Sequence, residues 1–249
     1  PIPPPAEQSP STSSPQSLLF EDASECATPT PTRVDVTFVT QASAERLWML
    51  PHICARWGGP MIVATLKPAD GTRIQWPDLR LNGTIGCSMR RLELTAPPSS
   101  SSSNRRRTQS SFAPPPPPEP YPINWLRNMG IGCVATSHYL IVDIDFWPSI
   151  ELLPLLRGRL NDWDANAPPL ALVVPNFQRS GHGCRNSEES SACRNAFING
   201  TISMPQTLDE LHGCLRSNNC VVFDGEYNPQ GQASTDVRAW KAMKSGSVR

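Results

Sequence analysis

The chain has 249 residues, with 22 Lys and Arg against 22 Asp and Glu, so it carries no formal net charge. That balance excludes a general nucleic-acid binder, which needs a basic surplus to neutralise phosphates. Charged residues make up only 18% and prolines number 28, so part of the chain is not core, and no apolar run reaches the ~18 residues of a membrane span.

Taken in chain order, residues 1–33 are Pro, Ser and Thr with few large apolar side chains. Such a stretch cannot bury enough surface to offset its ordering entropy, and it reads as a disordered tail. Residues 34–249 carry an α/β pattern. Val34 to Thr40 alternates β-branched residues and predicts a strand. Ser43 is placed to cap a following helix, with Glu45 in its first turn and Leu47, Leu50 and Cys54 on one face. Pro51 falls inside that helix, where it costs ~3 kcal/mol or forces a kink. Met61 to Leu66 predicts a second strand. Residues 96–120 then break the pattern with five serines (Ser99 to Ser103), three arginines (Arg105 to Arg107) and five prolines (Pro114 to Pro118). This low-complexity block reads as a solvated loop insertion.

Tyr121-Pro122 opens the next helix, with proline at a first-turn position it tolerates. His138 to Asp145 predicts an apolar strand that ends in two aspartates. Ser149 is placed to cap a helix carrying Ile150, Leu153, Leu156 and Leu160, and Leu170 to Val174 predicts another buried strand. Thr207 and Glu210 have the spacing of a capping box, ahead of an apolar stripe of Leu208, Leu211 and Leu215. Strands alternating with helices imply an open, largely parallel sheet with helices on both faces. Ligands of such sheets sit beyond the carboxyl ends of the strands.

The sharpest chemical signal lies at one such end. Residues i and i+2 of a strand face the same way, ~6–7 Å apart, so Asp143 and Asp145 can address one cation. Hard oxygen ligands suit Mn²⁺ or Mg²⁺, with a diphosphate completing the coordination. On the preceding helix Asn124, Arg127 and Asn128 share a face, from which Arg127 can reach a phosphate or carboxylate. A further cluster holds His182, Cys184, Cys193, His212, Cys214 and Cys220. Its spacing matches no Cys-x₂-Cys zinc knuckle, and one or two disulfides, free thiols and zinc all stay open. His138 reads as a core or sheet-face residue. The sequence holds no Gly-x-Ser-x-Gly, Walker loop, Gly-x-Gly-x-x-Gly or His-Glu-x-x-His. Eight cysteines and two sequons, at Asn82 and Asn199, lean toward the secretory pathway.

Seven blocks in order carry a family resemblance. They begin at Val36-Thr-Phe-Val-Thr-Gln-Ala-Ser-Ala-Glu-Arg-Leu47, Ile53-Cys-Ala-Arg-Trp57-Gly-Gly-Pro60, Tyr121-Pro-Ile-Asn-Trp-Leu-Arg-Asn128 and Asp143-Ile-Asp-Phe-Trp-Pro148. They continue through Ala171-Leu-Val-Val-Pro-Asn-Phe177, Met204-Pro-Gln-Thr-Leu-Asp-Glu-Leu211 and Ala233-Ser-Thr-Asp-Val-Arg-Ala-Trp240. The series resembles glycosyltransferase family 49, the LARGE-like and beta-1,4-glucuronyltransferase-like enzymes. The resemblance implies a GT-A-like open mixed sheet flanked by helices. It also implies Mn²⁺-dependent, inverting transfer of a sugar, with glucuronate expected, from a UDP-sugar to a glycan or glycoprotein acceptor. Asp143 and Asp145 are then the metal ligands, and Thr40, Gln41, Arg46, Asn124 and Arg127 hold the donor. No residue is assigned as the catalytic base. Family members are type II membrane proteins of the Golgi lumen, so the resemblance implies an anchor outside this chain and an acceptor-binding part beyond Arg249. The 34–249 segment is then a partial GT-A domain. A non-catalytic family member that binds a nucleotide sugar or glycan is the alternative.

Overall fold

The computed structural model describes residue 26 and residues 34–68, 70–81, 83–95, 121–162, 174–179, 187–225, 229–230 and 236–242. The rest of the 1–33 tail, the 96–120 block and residues 170–173 of the anticipated strand lie outside the described residues.

The first half of the chain forms β1 (Val36–Gln41), a 3-10 segment (Ala44–Met49), α1 (Leu50–Trp57), β2 (Pro60–Leu66), β3 (Arg80–Leu81), β4 (Thr84–Ile85) and β5 (Ser88–Leu94). After the low-complexity block come α2 (Ile123–Gly132), β6 (His138–Ile141), α3 (Leu152–Asn161), β7 (Phe177–Arg179) and α4 (Ser187–Ile198). Helix α5 (Leu208–Arg216), strand β8 (Cys220–Val222) and helix α6 (Val237–Ala242) follow. The principal sheet has the order β5-β2-β1-β6, and all three pairings are parallel. Strand β1 lies inside the sheet and is buried along its whole length. Both faces are covered, and its sequence, Val-Thr-Phe-Val-Thr-Gln, is β-branched or apolar at five of six positions.

Alternation divides the strand residues between two layers. Phe38, Met61 and Val63 join Leu47, Leu50, Ile53, Trp57 and Leu153 in the larger core, which brings α1 and α3 to one face. Ala64 and Leu94 join Leu126 of α2 in a smaller cluster. Gly130 sets the approach of α2. A Cβ added there would stand 2.7 Å from Cγ1 of Val39, a fully buried side chain on β1. Valine is stiff at χ1 and this one has nowhere to go. Gly130→Ala is therefore expected to destabilise the protein by about 1–2 kcal/mol in urea unfolding, despite alanine's better helix propensity. A more stable variant would mean that α2 can back away from the sheet.

Several local details differ from the sequence-based expectations. Pro51 does not kink a helix. The segment divides, with a 3-10 stretch before Leu50 and α1 starting there, so proline stands in the first helical turn where no backbone N–H is needed. Ser43 precedes the 3-10 segment, but its hydroxyl donates to the Glu45 carboxylate and caps no backbone N–H. Strand β6 closes at Ile141, which leaves both aspartates beyond it. Ser149 is not the cap of α3. Glu151 holds that position, and Ser149 contributes its carbonyl to the N–H of Leu152. The Thr207 hydroxyl does accept from the N–H of Glu210, while the Glu210 carboxylate takes the N–H of Gln206.

Covalent and ionic ties fix the layers. Disulfides join Cys26 to Cys133, Cys54 to Cys87 and Cys214 to Cys220. The last bridges α5 to β8, so Cys214 and Cys220 are not zinc thiolates. Asp35, just before β1, is buried and takes both Nε and Nη2 of Arg157 on α3, at 2.9 and 3.1 Å.

Candidate functional site

The site forms where β1 and β6 end. Parallel pairing of Val36–Val39 with His138–Ile141 brings the two carboxyl ends side by side. Gln41 is the last residue of β1. Beyond β6 the chain turns, with the N–H of Phe146 donating to the carbonyl of Asp143 at 3.0 Å. Ile144 is buried, while Asp143 and Asp145 on either side of it keep side-chain exposures of 38% and 51%. The alternation anticipated for a strand thus continues through a turn.

Each aspartate has a cationic neighbour. Arg127 of α2 binds Oδ1 of Asp143, and Nε2 of Gln41 donates to the same oxygen at 3.3 Å. Oδ2 of Asp143 lies outside both contacts. Arg46, from the 3-10 segment after β1, reaches Oδ2 of Asp145 at 3.4 Å. Arg127 also has a buried Nε with no hydrogen-bond partner among the described residues. That is an unmatched cationic donor beside a carboxylate, an arrangement suited to an anionic ligand. The structure so gathers Gln41, Arg46, Arg127, Asp143 and Asp145. Thr40 is fully buried one residue earlier, with its hydroxyl directed to the carbonyl of Gln41. Asn124 is exposed on α2, one turn ahead of Arg127.

Tyr121 was not singled out in the sequence as a site residue, yet it stands at this edge. Its phenol is pushed up to about 12, by burial first and then by the Glu45 carboxylate, with Arg46 opposing. It is therefore a neutral donor at neutral pH. His138 is an exposed residue on β6 rather than a core one, with Nδ1 beside the Ser137 hydroxyl.

An aromatic group supports the aspartate turn from behind. Trp147 stacks on His52 at 5.1 Å, packs on Phe197 of α4 at 5.2 Å, and meets Trp48 edge-on. The Arg56 guanidinium lies over the Trp147 ring and donates to the carbonyls of Met204 and Pro205. Burial brings that guanidinium down to about 10, with Glu210 pulling the other way. The signal for this group was present in the sequence: Trp48, His52 and Arg56 recur at intervals of four. The His52 imidazole is held below its ordinary value of 6.5, by burial first and then by Arg56. Folded His52 therefore takes a proton less readily than the unfolded chain does. Its contribution to stability is present above pH 6.5 and is lost as pH falls through the lower folded value. Between about pH 7.5 and about pH 5 the wild type is expected to lose more stability than His52→Gln in parallel thermal melts. Equal slopes would remove His52 as the cause.

Among the described residues no group of three or more His, Cys, Asp or Glu side chains is placed to hold a metal ion. The candidate donor set is the two carboxylates alone. They are hard and accessible, as Mn²⁺ requires, and other ligands would come from a bound diphosphate. No described helix is long and apolar enough to cross a membrane.

Comparison with known proteins gives a consistent relationship. The family model described as "Glycosyl-transferase for dystroglycan" matches residues 72–248. The chain is 27% identical over 224 residues to the xylosyl- and glucuronyltransferase LARGE2s of Gallus gallus, covering 90% of this chain and 25% of that protein. It is 29% identical over 223 residues to LARGE1 of Danio rerio, covering 86% and 23% respectively. With LARGE2 of Mus musculus the identity is 27% over 218 residues. The chain spans about a quarter of the length of the curated relatives it matches.

Proposed function

We propose, from the premise that the chain belongs to the glycosyl-transferase family for dystroglycan, that it forms the donor-binding part of a UDP-sugar-dependent, inverting glycosyltransferase. The sugar in this reading is glucuronate and the acceptor a glycan or glycoprotein. The relatives' names, xylosyl- and glucuronyltransferase, support the class of donor. The observation that carries the reading is the convergence of Gln41, Arg127 and Asp143, with Arg46 and Asp145 alongside, at the carboxyl ends of two parallel strands. That is the place where open α/β sheets bind nucleotides.

Asp143 and Asp145 would hold Mn²⁺, which supplies charge neutralisation for the departing diphosphate. Arg46 and Arg127 neutralise those carboxylates, and in this reading they would turn their guanidinium groups to phosphate oxygens when a donor enters. Tyr121 and Asn124 offer neutral hydrogen-bond donors on the same side. The Ile144 anchor and the Trp147 stack fix the turn, so the carboxylates are oriented before the donor arrives. In the whole protein we place this domain in the Golgi lumen behind a type II membrane anchor. The disulfides favour an oxidising compartment.

The test is isothermal titration of UDP into the protein with and without Mn²⁺. Binding that requires Mn²⁺ is expected. Absence of binding, or equal binding with a chelator present, would overturn the reading.

A further inference from the structure

A second chemistry-bearing feature lies at the end of α4, away from the donor residues. Asn199-Gly200-Thr201 is a sequon, and all three residues are exposed. The chain here turns sharply. The N–H of Asn199 closes on the carbonyl of Asn195 at 2.9 Å, that of Gly200 on Phe197 at 3.2 Å, and that of Ile202 on Ala196 at 3.0 Å. Gly200 has φ +74, in the left-handed region where glycine costs least. Within this turn Oδ1 of Asn199 accepts both the backbone N–H of Thr201, at 3.0 Å, and the Thr201 hydroxyl, at 2.6 Å. The amide oxygen is engaged twice by the threonine, and Nδ2 stands outside both bonds.

We infer that Asn199 is an N-glycosylation site. Its nitrogen is the nucleophile the modification needs, and the residue is exposed. In this turn the threonine orients the carboxamide through its amide oxygen. In the transfer, Nδ2 loses a proton to the modifying enzyme and bonds the anomeric carbon of a lipid-diphosphate-linked oligosaccharide. The bond from that carbon to phosphate oxygen breaks, and the diphosphate carrier leaves with the electron pair. No oxidant or reductant takes part. The disulfides among the described residues indicate the same oxidising lumen that supplies such donors.

Two further observations fit a glycan here. Ile198, the neighbouring residue, is 59% exposed, more than any other large apolar side chain among the described residues, and a proximal sugar would shade it. Phe197, one residue earlier, is packed on Trp147 and Trp48, so the glycan would stand on a fixed turn. The inference rests on the sequon and its turn, independently of the donor-site reading.

The test is to produce the chain through a eukaryotic secretory pathway and measure glycopeptide masses after proteolysis. Enzymatic glycan release should be run in heavy-oxygen water, so that spontaneous deamidation of the Asn199-Gly200 step is not counted. A glycan is expected on the Asn199 peptide. Asn199→Gln and Thr201→Ala should each abolish that glycopeptide, and Thr201→Ser should retain it. Asn82→Gln separates any glycan on the other sequon, whose asparagine lies outside the described residues. An unmodified Asn199 peptide from secreted, disulfide-bonded wild-type protein would overturn the inference. So would a glycan on that peptide that survives Thr201→Ala.

Discussion

Asp145→Asn is expected to abolish Mn²⁺-dependent UDP binding while leaving the melting temperature within a few degrees of wild type. The two effects separate because the folded state uses Asp145 so little. Its contact with Arg46 is 3.4 Å long, and both side chains are about half exposed, at 50% and 51%. Such a surface pair contributes ~0–1 kcal/mol. In the proposed metal site the same carboxylate would matter far more. Losing a mere outer-shell partner weakens metal sites by ~10–100-fold, and loss of a ligand should exceed that. Asp143→Asn is the instructive companion, because it also loosens the grip of Arg127 and Gln41 on the turn. Unchanged UDP affinity in Asp145→Asn, read by titration, would remove the carboxylate pair from the metal.

Arg157→Leu is expected to cost about 3 kcal/mol, a loss large enough to lower the melting temperature by roughly 6–12 °C for a chain of this size. The Asp35 side chain is only 8% exposed, and its two oxygens are held by the two nitrogens of Arg157. The Val36 N–H adds a bond at 2.8 Å. Removing the guanidinium takes the Arg157 charge away from a buried carboxylate. Arg157 itself is a third exposed, which keeps the loss below that of a fully interior pair. The double variant Asp35→Asn/Arg157→Leu should recover most of the stability, since the charge is then gone from both sides. If the single and double variants unfold alike in urea, the lost packing of Arg157, and not charge, is the cause.

The sequence announced the sheet more clearly than the joints between its elements. β1 and β2 were legible because burial on both faces demands β-branched and apolar residues in unbroken runs. Helix α5 was legible because Thr207 and Glu210 advertise its start. Pro51 misled because proline is forbidden inside a helix but welcome in its first turn, and only the tertiary fold decides which applies. The aspartate pair was found for its composition, although β6 stops two residues before Asp143 and hands the alternation to a turn. The partners of those aspartates were partly visible, since Arg127 and Arg46 lie on segments that end near the same sheet edge. Tyr121 was not, because its phenol is raised first by burial and then by Glu45, and both come from tertiary neighbours on the far side of the insertion. Cysteine pairing was illegible in principle: spacing along the chain carries no information about which thiols meet in space. The Asp35–Arg157 pair joins residues 122 positions apart with no local pattern to betray it.

The register of β1 has a kinetic consequence. This strand meets β2 with Phe38 opposite Met61, a separation of 23 residues, but meets β6 with Val36 opposite His138, a separation of 102. Before the Cys26–Cys133 disulfide forms, closing the first loop is quick, whereas the second must gather a chain segment that includes the whole low-complexity block, so its entropy of closure is larger and its encounter slower. The β5-β2-β1 half can form as one early cooperative unit. The aspartate turn is carried by the strand that docks last. In pulsed hydrogen exchange during refolding of the reduced chain, amides of β2 should gain protection before those of β6, and the lag should shorten when the Cys26–Cys133 bridge is intact. The candidate site would thus be the final part of the sheet to come into existence, and the Cys26–Cys133 bridge then keeps its strand beside β1 once the native state has formed.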